Sequence, residues 1–357
     1  MRIIQIIDSL EAGGAERMAV NYANALAHTI EFSGLVATRK EGSLLNQIDY
    51  TVSYLFLNKK GQLDFGALFR LRSYVLKNRI THVQAHSTSF FLAFLLKLVL
   101  PSLKIIRHDH YGNNEFLAVR PHFVLKLTAF FFYGVIAVNK NLKEWSEKQL
   151  KARNVVYLPN FSVKEVMANE QTFLHGIDGK RIVSLANLRE QKDHFLLLEV
   201  AQRLKATNPD WTFHLVGKDF EDEYSSQIKK LIRDYGLETN VFLYGSKQDI
   251  ENILNQAVIA VLTSQSEGLP VALLEYGLYK KAVVVTDVGE MPTIVQHGKN
   301  GFITTSNEPH LFYKSLLNLV ENETLRTEFG EALFSTIKAG YTAERVMEKY
   351  LNWLQIC

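Results

Sequence analysis

The chain has 357 residues, 47% hydrophobic and 22% charged, and its 40 Lys and Arg nearly balance 37 Asp and Glu to leave +3. That composition excludes a disordered chain, and the length exceeds what one hydrophobic core organises, so two domains are expected. The single cysteine, Cys357, excludes an intrachain disulfide framework and suits a reducing cytoplasm.

The first apolar run, 2–7, is too short and too soon broken by Asp8 for a signal peptide, and it reads as a buried strand. A loop at 8–14 and a helix at 15–27 follow. Further strands are expected at 34–37, 52–56, 82–85, 104–106, 135–138 and 155–158, alternating with helical segments in a doubly wound α/β pattern. The apolar stretches 90–100 and 123–138 carry Lys97 and Lys126 and do not suit a bilayer span. They read as helices packed on a sheet, the second passing into a strand near Gly134. The polar segment 159–179 reads as a linker, with the domain boundary placed between 170 and 171.

A second α/β series starts with a strand at 181–185, then a helix at 194–206, a strand at 211–216, a helix at 224–235 and a strand at 241–244. Apolar runs at 257–263 and 282–286 flank a Gly-bearing turn and a helix, one βαβ unit. Helices at 308–321, 324–339 and 343–356 close the chain.

Charge is uneven. Residues 1–170 hold 21 Lys and Arg against 13 Asp and Glu, net +8, whereas 171–357 are net −5. The basic half suits an anionic partner, either a lipid surface or a pyrophosphate-bearing acceptor, or is an ordinary solvated face. No aromatic-and-basic nucleic-acid motif appears.

The βαβ unit at 257–286 carries the chemistry. Glu267 precedes the expected helix start at Gly268-Leu269-Pro270, and Glu275 lies two turns further on nearly the same face. Amides at a helix start face an anion, and carboxylates accept hydroxyl hydrogens. A sugar nucleotide offers both groups; the plainer alternative is a helix cap and a solvated surface glutamate. Lys192 follows a strand and precedes a helix capped by Asp193, placed to reach a diphosphate. Gly13 and Gly14 follow the first strand and leave room over bare backbone, without the G-x-G-x-x-G dinucleotide pattern. His86, His108 and His110 fall near strand ends. No Asp-x-Asp and no His or Cys ligand spacing occurs, so no metal and no cofactor is expected.

The run S-x-x-E-G-L-P-x-x-L-L-E-Y-G, then V-V-V-T-D-V-G-E-M-P and G-x-x-G, resembles the donor site of retaining GT-B glycosyltransferases of family 4, also called group 1. AGGAER (12–17), YLPNF (157–161), ANLREQKDH (186–194), FHLVGK (213–218) and VFLYGSKQDI (241–250) extend the resemblance through nearly the whole chain. It implies two Rossmann-like doubly wound domains facing each other across a cleft. Residues 1–170 would bind the acceptor, with helix 343–357 packing back on them, and 171–342 would bind the donor. By the same resemblance Glu275 meets the ribose hydroxyls, Glu267 the donor sugar, and backbone at Gly245 and Ser246 the base edge. Lys192 and the amides of Gly268 and Leu269 would neutralise the diphosphate. Gly13 and Gly14 would admit the donor phosphate or the acceptor, and His110, ahead of His108 and His86, would lie near the transferred sugar. The family usually shows Arg where this chain has Asn187; Arg189 is the candidate replacement.

The implied activity is metal-independent hexosyl transfer, with retention through front-face attack, from a uridine diphosphate sugar to a glycan or lipid-linked acceptor. This belongs to cell-surface polysaccharide synthesis, in the cytoplasm and at the inner face of the cell membrane. A nucleotide-sugar epimerase of the same architecture and a non-catalytic nucleotide-sugar-binding subunit are the rival readings.

Overall fold

The computed structural model describes residues 1–163 and 172–356. The boundary expected between 170 and 171 lies outside the described residues. The chain divides into two compact units, Met1–Phe161 with Ala343–Cys357, and Ser162–Thr342.

The first unit is built on seven strands: β1 (Arg2–Ser9), β2 (Phe32–Lys40), β3 (Ser53–Phe56), β4 (His82–His86), β5 (Lys104–Asp109), β6 (Gly134–Ala137) and β7 (Val155–Tyr157). They pair in parallel in the order β3-β2-β1-β4-β5-β6-β7. A parallel sheet is covered on both faces, so its central strands read as continuous apolar runs; Ile3, Ile4, Ile6 and Ile7 of β1 are all buried. The structure carries β5 three residues past the expected end, through Arg107, His108 and Asp109. Hydropathy ends there, but ladders to both neighbours continue and keep these polar residues in the sheet.

Helices Phe65–Lys77 and Lys140–Gln149 cover part of this sheet, each started by a capping side chain: Asp64 accepts from the Ala67 amide at 2.9 Å and Asn139 from the Leu142 amide at 2.7 Å. The apolar stretches become helices Phe90–Val99 and Phe123–Ala129, and no helix among the described residues is long and apolar enough to cross a membrane. Helix Ala343–Ile356 buries Val346, Met347, Tyr350 and Leu354 in this unit. Tyr350 meets Tyr22 of helix Gly14–Ala27 ring to ring at 5.4 Å. Trp353 fills the space above Gly134, where a Cβ would sit 2.5 Å from the indole.

The second unit repeats the plan with six strands: β8 (Arg181–Leu185), β9 (Thr212–Val216), β10 (Val241–Gly245), β11 (Ile259–Leu262), β12 (Ala282–Thr286) and β13 (Phe302–Thr304). Their order is β10-β9-β8-β11-β12-β13, again all parallel. Val283, Val284 and Val285 of β12 are fully enclosed, each contributing roughly 1.5–3 kcal/mol by burial. In each unit the strand order reverses once near the middle, between β1 and β4 and between β8 and β11. Open α/β sheets bind ligands at the carboxyl ends of strands beside such a reversal.

Candidate active site

Two loops leave the second unit's sheet at its reversal. The loop after β8 first extends the pairing with β9: Ala186 N–H donates to Val216 at 3.0 Å and Leu188 N–H to Lys218 at 2.9 Å. Asn187 Oδ1 accepts from the Lys218 amide at 2.7 Å, so this side chain fastens the two strand ends to each other. The chain then makes a tight turn over Glu190–Lys192. It reaches Asp193, a left-handed residue at φ 48° whose carboxylate caps helix His194–Thr207 by accepting from the Leu196 amide at 3.2 Å.

The loop after β11 is laced to it. Gln265 N–H donates to the Gln191 carbonyl at 2.9 Å, Gln191 Nε2 to the Ser266 carbonyl at 2.7 Å, and Gln265 Nε2 to the Asp193 carboxylate at 3.0 Å. Thr263 Oγ1 donates to the Lys192 carbonyl at 2.9 Å. Within this frame Lys192 Nζ forms an ion pair with Glu267 Oε1, which also accepts from Ser264 Oγ at 2.7 Å. Glu267 is 4% exposed, and the Lys192 side chain keeps 21% of its surface.

A third loop, after β12, braces the second. Gly289 sits at φ 58°, and a Cβ there would meet the Glu267 carbonyl at 2.3 Å, so both conformation and space require glycine. Glu290 N–H donates to the Gly268 carbonyl at 2.9 Å.

Helix Val271–Leu278 starts one residue later than its sequence suggests, with Pro270 as the extended residue before the first turn. Glu275 is 8% exposed and Glu267 less so, which rules out the plainer pairing of a helix cap with a solvated surface glutamate. Tyr276 ties the helix to the sheet by accepting from the Leu185 amide at 2.7 Å; burial pushes its phenol far above the usual range.

Three cations line the β8–β9 end of this edge. Lys192 is joined by Arg189, exposed and stacked on Phe220 at 4.6 Å, and by Lys218, whose ammonium lies 5.1 Å from the same ring. Lys218 and Phe220 were not singled out in the sequence, although Lys218 ends the FHLVGK stretch. At the neighbouring strand end Gly245 is left-handed, φ 66°, with open space at its Cβ; its carbonyl accepts from Gly217 N–H at 3.0 Å, and Ser246 beside it is exposed.

The first unit's edge is differently furnished. Gly14 has open space where a Cβ would be, but at Gly13 the Glu16 carboxylate occupies it, 2.2 Å from an added Cβ. Bare backbone is thus open at Gly14, and at Gly13 it is covered by the movable end of the Glu16 side chain.

The three histidines converge. His86 Nδ1 and His110 Nε2 share a hydrogen bond at 2.9 Å, and the rings of His108 and His110 lie 4.0 Å apart, tilted by 35°. Their nitrogens fall within 4.8 Å of one another, a grouping with metal-binding reach that the linear sequence did not reveal. The orientations argue otherwise: His86 and His110 aim lone pair and proton at each other, and His108 lies over the His110 ring, so three lone pairs do not meet at one point. Burial holds all three well below the usual imidazole range, His110 at about 3, where Asp109 opposes the shift and Arg107 adds to it. All three are neutral at pH 7.

On the other side of β5, Asp109 takes both nitrogens of Arg120, at 2.8 and 2.9 Å, and one of Arg107 at 3.0 Å, with all three side chains buried. Burial works against the charge on Asp109, yet the two guanidiniums outweigh it and hold the carboxyl at about 2. The R-H-D-H run gave no sign of this cluster, since Arg120 is eleven residues away.

Two Rossmann-like units, with an ion-paired lysine at the edge of the second, define a nucleotide-binding α/β architecture. The family model "Glycosyltransferase Family 4" matches residues 12–162, and "Glycosyl transferases group 1" matches 167–334. The chain thus belongs to the group 1, family 4 glycosyltransferases. It is 24% identical over 351 residues to an uncharacterized glycosyltransferase of Haemophilus influenzae, covering 95% of each chain. It is 21% identical over 341 residues to the capsular polysaccharide biosynthesis glycosyltransferase CapH of Staphylococcus aureus, covering 90% of this chain and 92% of that one. The structure of Alr3699/HepE of Anabaena in complex with UDP-glucose shares the fold at TM-score 0.81, with 15% identity and complete coverage of both chains.

Proposed function

We propose that the protein is a retaining hexosyltransferase that moves a sugar from a uridine diphosphate sugar to a hydroxyl of a glycan or lipid-linked acceptor in cell-surface polysaccharide assembly. The observation that carries this reading is the Lys192–Glu267 pair, fixed by two laced loops at the carboxyl edge of the second sheet, with Glu275 buried in the helix that follows. In the unliganded chain Glu267 balances the lysine's charge. A bound diphosphate gives Lys192 a second anion, and the attraction grows as negative charge develops on the leaving group. Glu275 accepts ribose hydroxyls, and Glu267 a hydroxyl of the transferred sugar. Retention follows from attack on the face the diphosphate leaves, with its oxygen taking the acceptor's proton, so no protein nucleophile is assigned. The UDP donor and the polysaccharide context are supported by the names of similar proteins, CapH and the UDP-glucose-bound HepE among them. Without an Asp-x-Asp in the sequence, the lysine rather than a divalent ion is assigned the leaving group.

The acceptor side is read as a membrane surface. Phe116, Val119, Phe123, Leu127 and Phe130 are all exposed within fifteen residues of the basic first unit, and Lys126 is exposed among them.

Thermal shift with a panel of nucleotide sugars tests the donor: a ligand at a hundred times its dissociation constant stabilises by about 2.7 kcal/mol. The expected hit is a UDP sugar, consumed on adding lipid-linked acceptor in the presence of chelator. Consumption without transfer, yielding an isomer, would establish the epimerase instead.

A further inference from the structure

Gln5, Gln84, His86 and His108 stand on three adjacent central strands of the first sheet, β1, β4 and β5, and every one is buried. The tyrosine ring of Tyr22 lies 6.2 Å from His86 and 5.2 Å from His108, with Tyr350 packed behind it. Gln5 Nε2, Gln84 Oε1, His108 Nε2 and both tyrosine hydroxyls are enclosed without a hydrogen-bond partner among the described residues. Such orphans are costly, and apolar residues would fill the space without that cost. Local inconsistency of this kind marks a site kept for a purpose other than stability.

One ordered chain runs through the cluster. Gln5 Oε1 carries only lone pairs, so the nitrogen facing it at 2.8 Å, His86 Nε2, carries the proton. A neutral imidazole has one proton, so His86 Nδ1 is bare and accepts from His110 Nε2–H at 2.9 Å. The single proton of neutral His110 is thereby committed inward. Its Nδ1 has no hydrogen-bond partner among the described residues and is not one of the enclosed orphan atoms, whereas His86 is fully buried.

We propose that Gln5 and His86 are positioning residues that fix the tautomer of His110, so that it offers Nδ1 as a hydrogen-bond acceptor to a carbohydrate hydroxyl. The proposal rests on the glycosyltransferase reading for its ligand, but the tautomer itself does not. It assigns His110 a role opposite to that of Lys192: a neutral acceptor for hydroxyl groups, with no part in balancing the diphosphate.

The test uses the full chain labelled with 15N at histidine. At pH 7 the long-range proton–nitrogen spectrum is expected to show His86 and His110 both protonated at Nε2 and bare at Nδ1. A His110 proton on Nδ1, or an imidazolium, overturns the proposal whether or not any sugar is transferred. Gln5→Met removes the anchoring acceptor and is expected to give mixed tautomers at His110 and about tenfold lower turnover, the worth of one hydrogen bond, with an unchanged KM for the donor. Gln5→Glu, which keeps an acceptor, is expected to restore both. An unaltered His110 spectrum in a folded Gln5→Met protein would also overturn the relay. His110→Asn, whose oxygen falls near the place of Nδ1, is expected to retain more turnover than His110→Gln; the reverse order sinks the acceptor role. A wild-type spectrum as expected, in a chain that transfers no sugar, would overturn the proposed function and leave the tautomer relay standing.

Discussion

In both units the chain leaves a parallel sheet at the place where the strand order reverses, yet the two edges present opposite chemistry. Between β8 and β11 the second unit gathers charge: Lys192 paired with the carboxylate of Glu267, and Arg189 and Lys218 at the ring of Phe220. Beside β1 the first unit gathers neutral donors and acceptors at the ends of β4 and β5, imidazoles held uncharged by burial, and turns its charges, Arg107, Asp109 and Arg120, to the other face of the sheet. A fold of this kind supplies a location, and side chains at the strand ends supply the function. The second edge suits a diphosphate and the first suits hydroxyl groups.

The largest effect that would sharpen this contrast is structural. Asp109→Asn leaves Arg107 and Arg120 buried without their counter-charge and is expected to destabilise the first unit by about 3–5 kcal/mol in denaturant unfolding. Glu267→Gln removes the partner of a lysine that still reaches water, and a loss within about 1 kcal/mol is expected. Equal losses would show that the two ion clusters are alike in kind.

Lys192→Ala is expected to lower turnover at saturating donor by about 10²–10³, as for removal of one group that stabilises a developing anion. A change confined to KM would assign Lys192 to uniform binding. Glu275→Ala is expected to weaken UDP binding in calorimetry by about 1.5–3 kcal/mol, whereas Glu267→Ala lowers turnover and leaves UDP affinity nearly intact. Wild-type UDP affinity in Glu275→Ala would remove the ribose role.

Acid should separate the units. His82, His86, His108 and His110 in the first unit, and His194 and His214 in the second, have imidazoles lowered by burial, to about 4 for His82 and His194 and about 3 for His110 and His214. Below the unfolded value, about 6.5, the unfolded chain binds protons that the folded chain refuses, so their contribution is complete above that pH and declines as it falls. Asp109 adds a second loss between its ordinary value and about 2, since its carboxyl is lowered in the folded state. Hydrogen exchange at pH 5 against pH 7.5 should show β4 and β5 losing protection before β8 and β11. Simultaneous loss would mean the histidine-rich edge is no more acid-sensitive than the other.

The smallest expected effect concerns the exposed phenylalanines. Each basic group near an anionic bilayer contributes about 1 kcal/mol, and salt screens it. Co-sedimentation with anionic vesicles is expected at low salt and should weaken at high salt, more so for Lys126→Glu. Absence of binding at low salt by folded protein would return the patch to an ordinary surface and favour a soluble acceptor.

Much of this molecule was legible along the chain. Apolar runs separated by helical periodicity gave the doubly wound class, because a strand buried on both faces leaves a contiguous signature. The E-G-L-P and A-N-L-R-E-Q-K-D-H stretches marked the charged edge, because the residues that build each of its loops are near neighbours in sequence. The Lys192–Glu267 pair joins positions 75 apart, and only the pairing of β8 with β11 brings those loops together. The neutral edge was less legible still: Gln5 and His86 lie on β1 and β4 and His110 just past the end of β5, and an isolated glutamine or histidine in an apolar run carries no sign of what it faces. Hydropathy even ended β5 at residue 106, ahead of the polar residues that matter there. Sequence by itself determined which segments fold as strand or helix, since that depends on local periodicity and capping, while ladders to neighbouring strands carried the end of β5 beyond its apolar run. Tertiary structure alone decided which strand ends meet, which ions are enclosed and which nitrogen of an imidazole bears its proton, because burial and hydrogen-bond partners come from residues far apart in the chain.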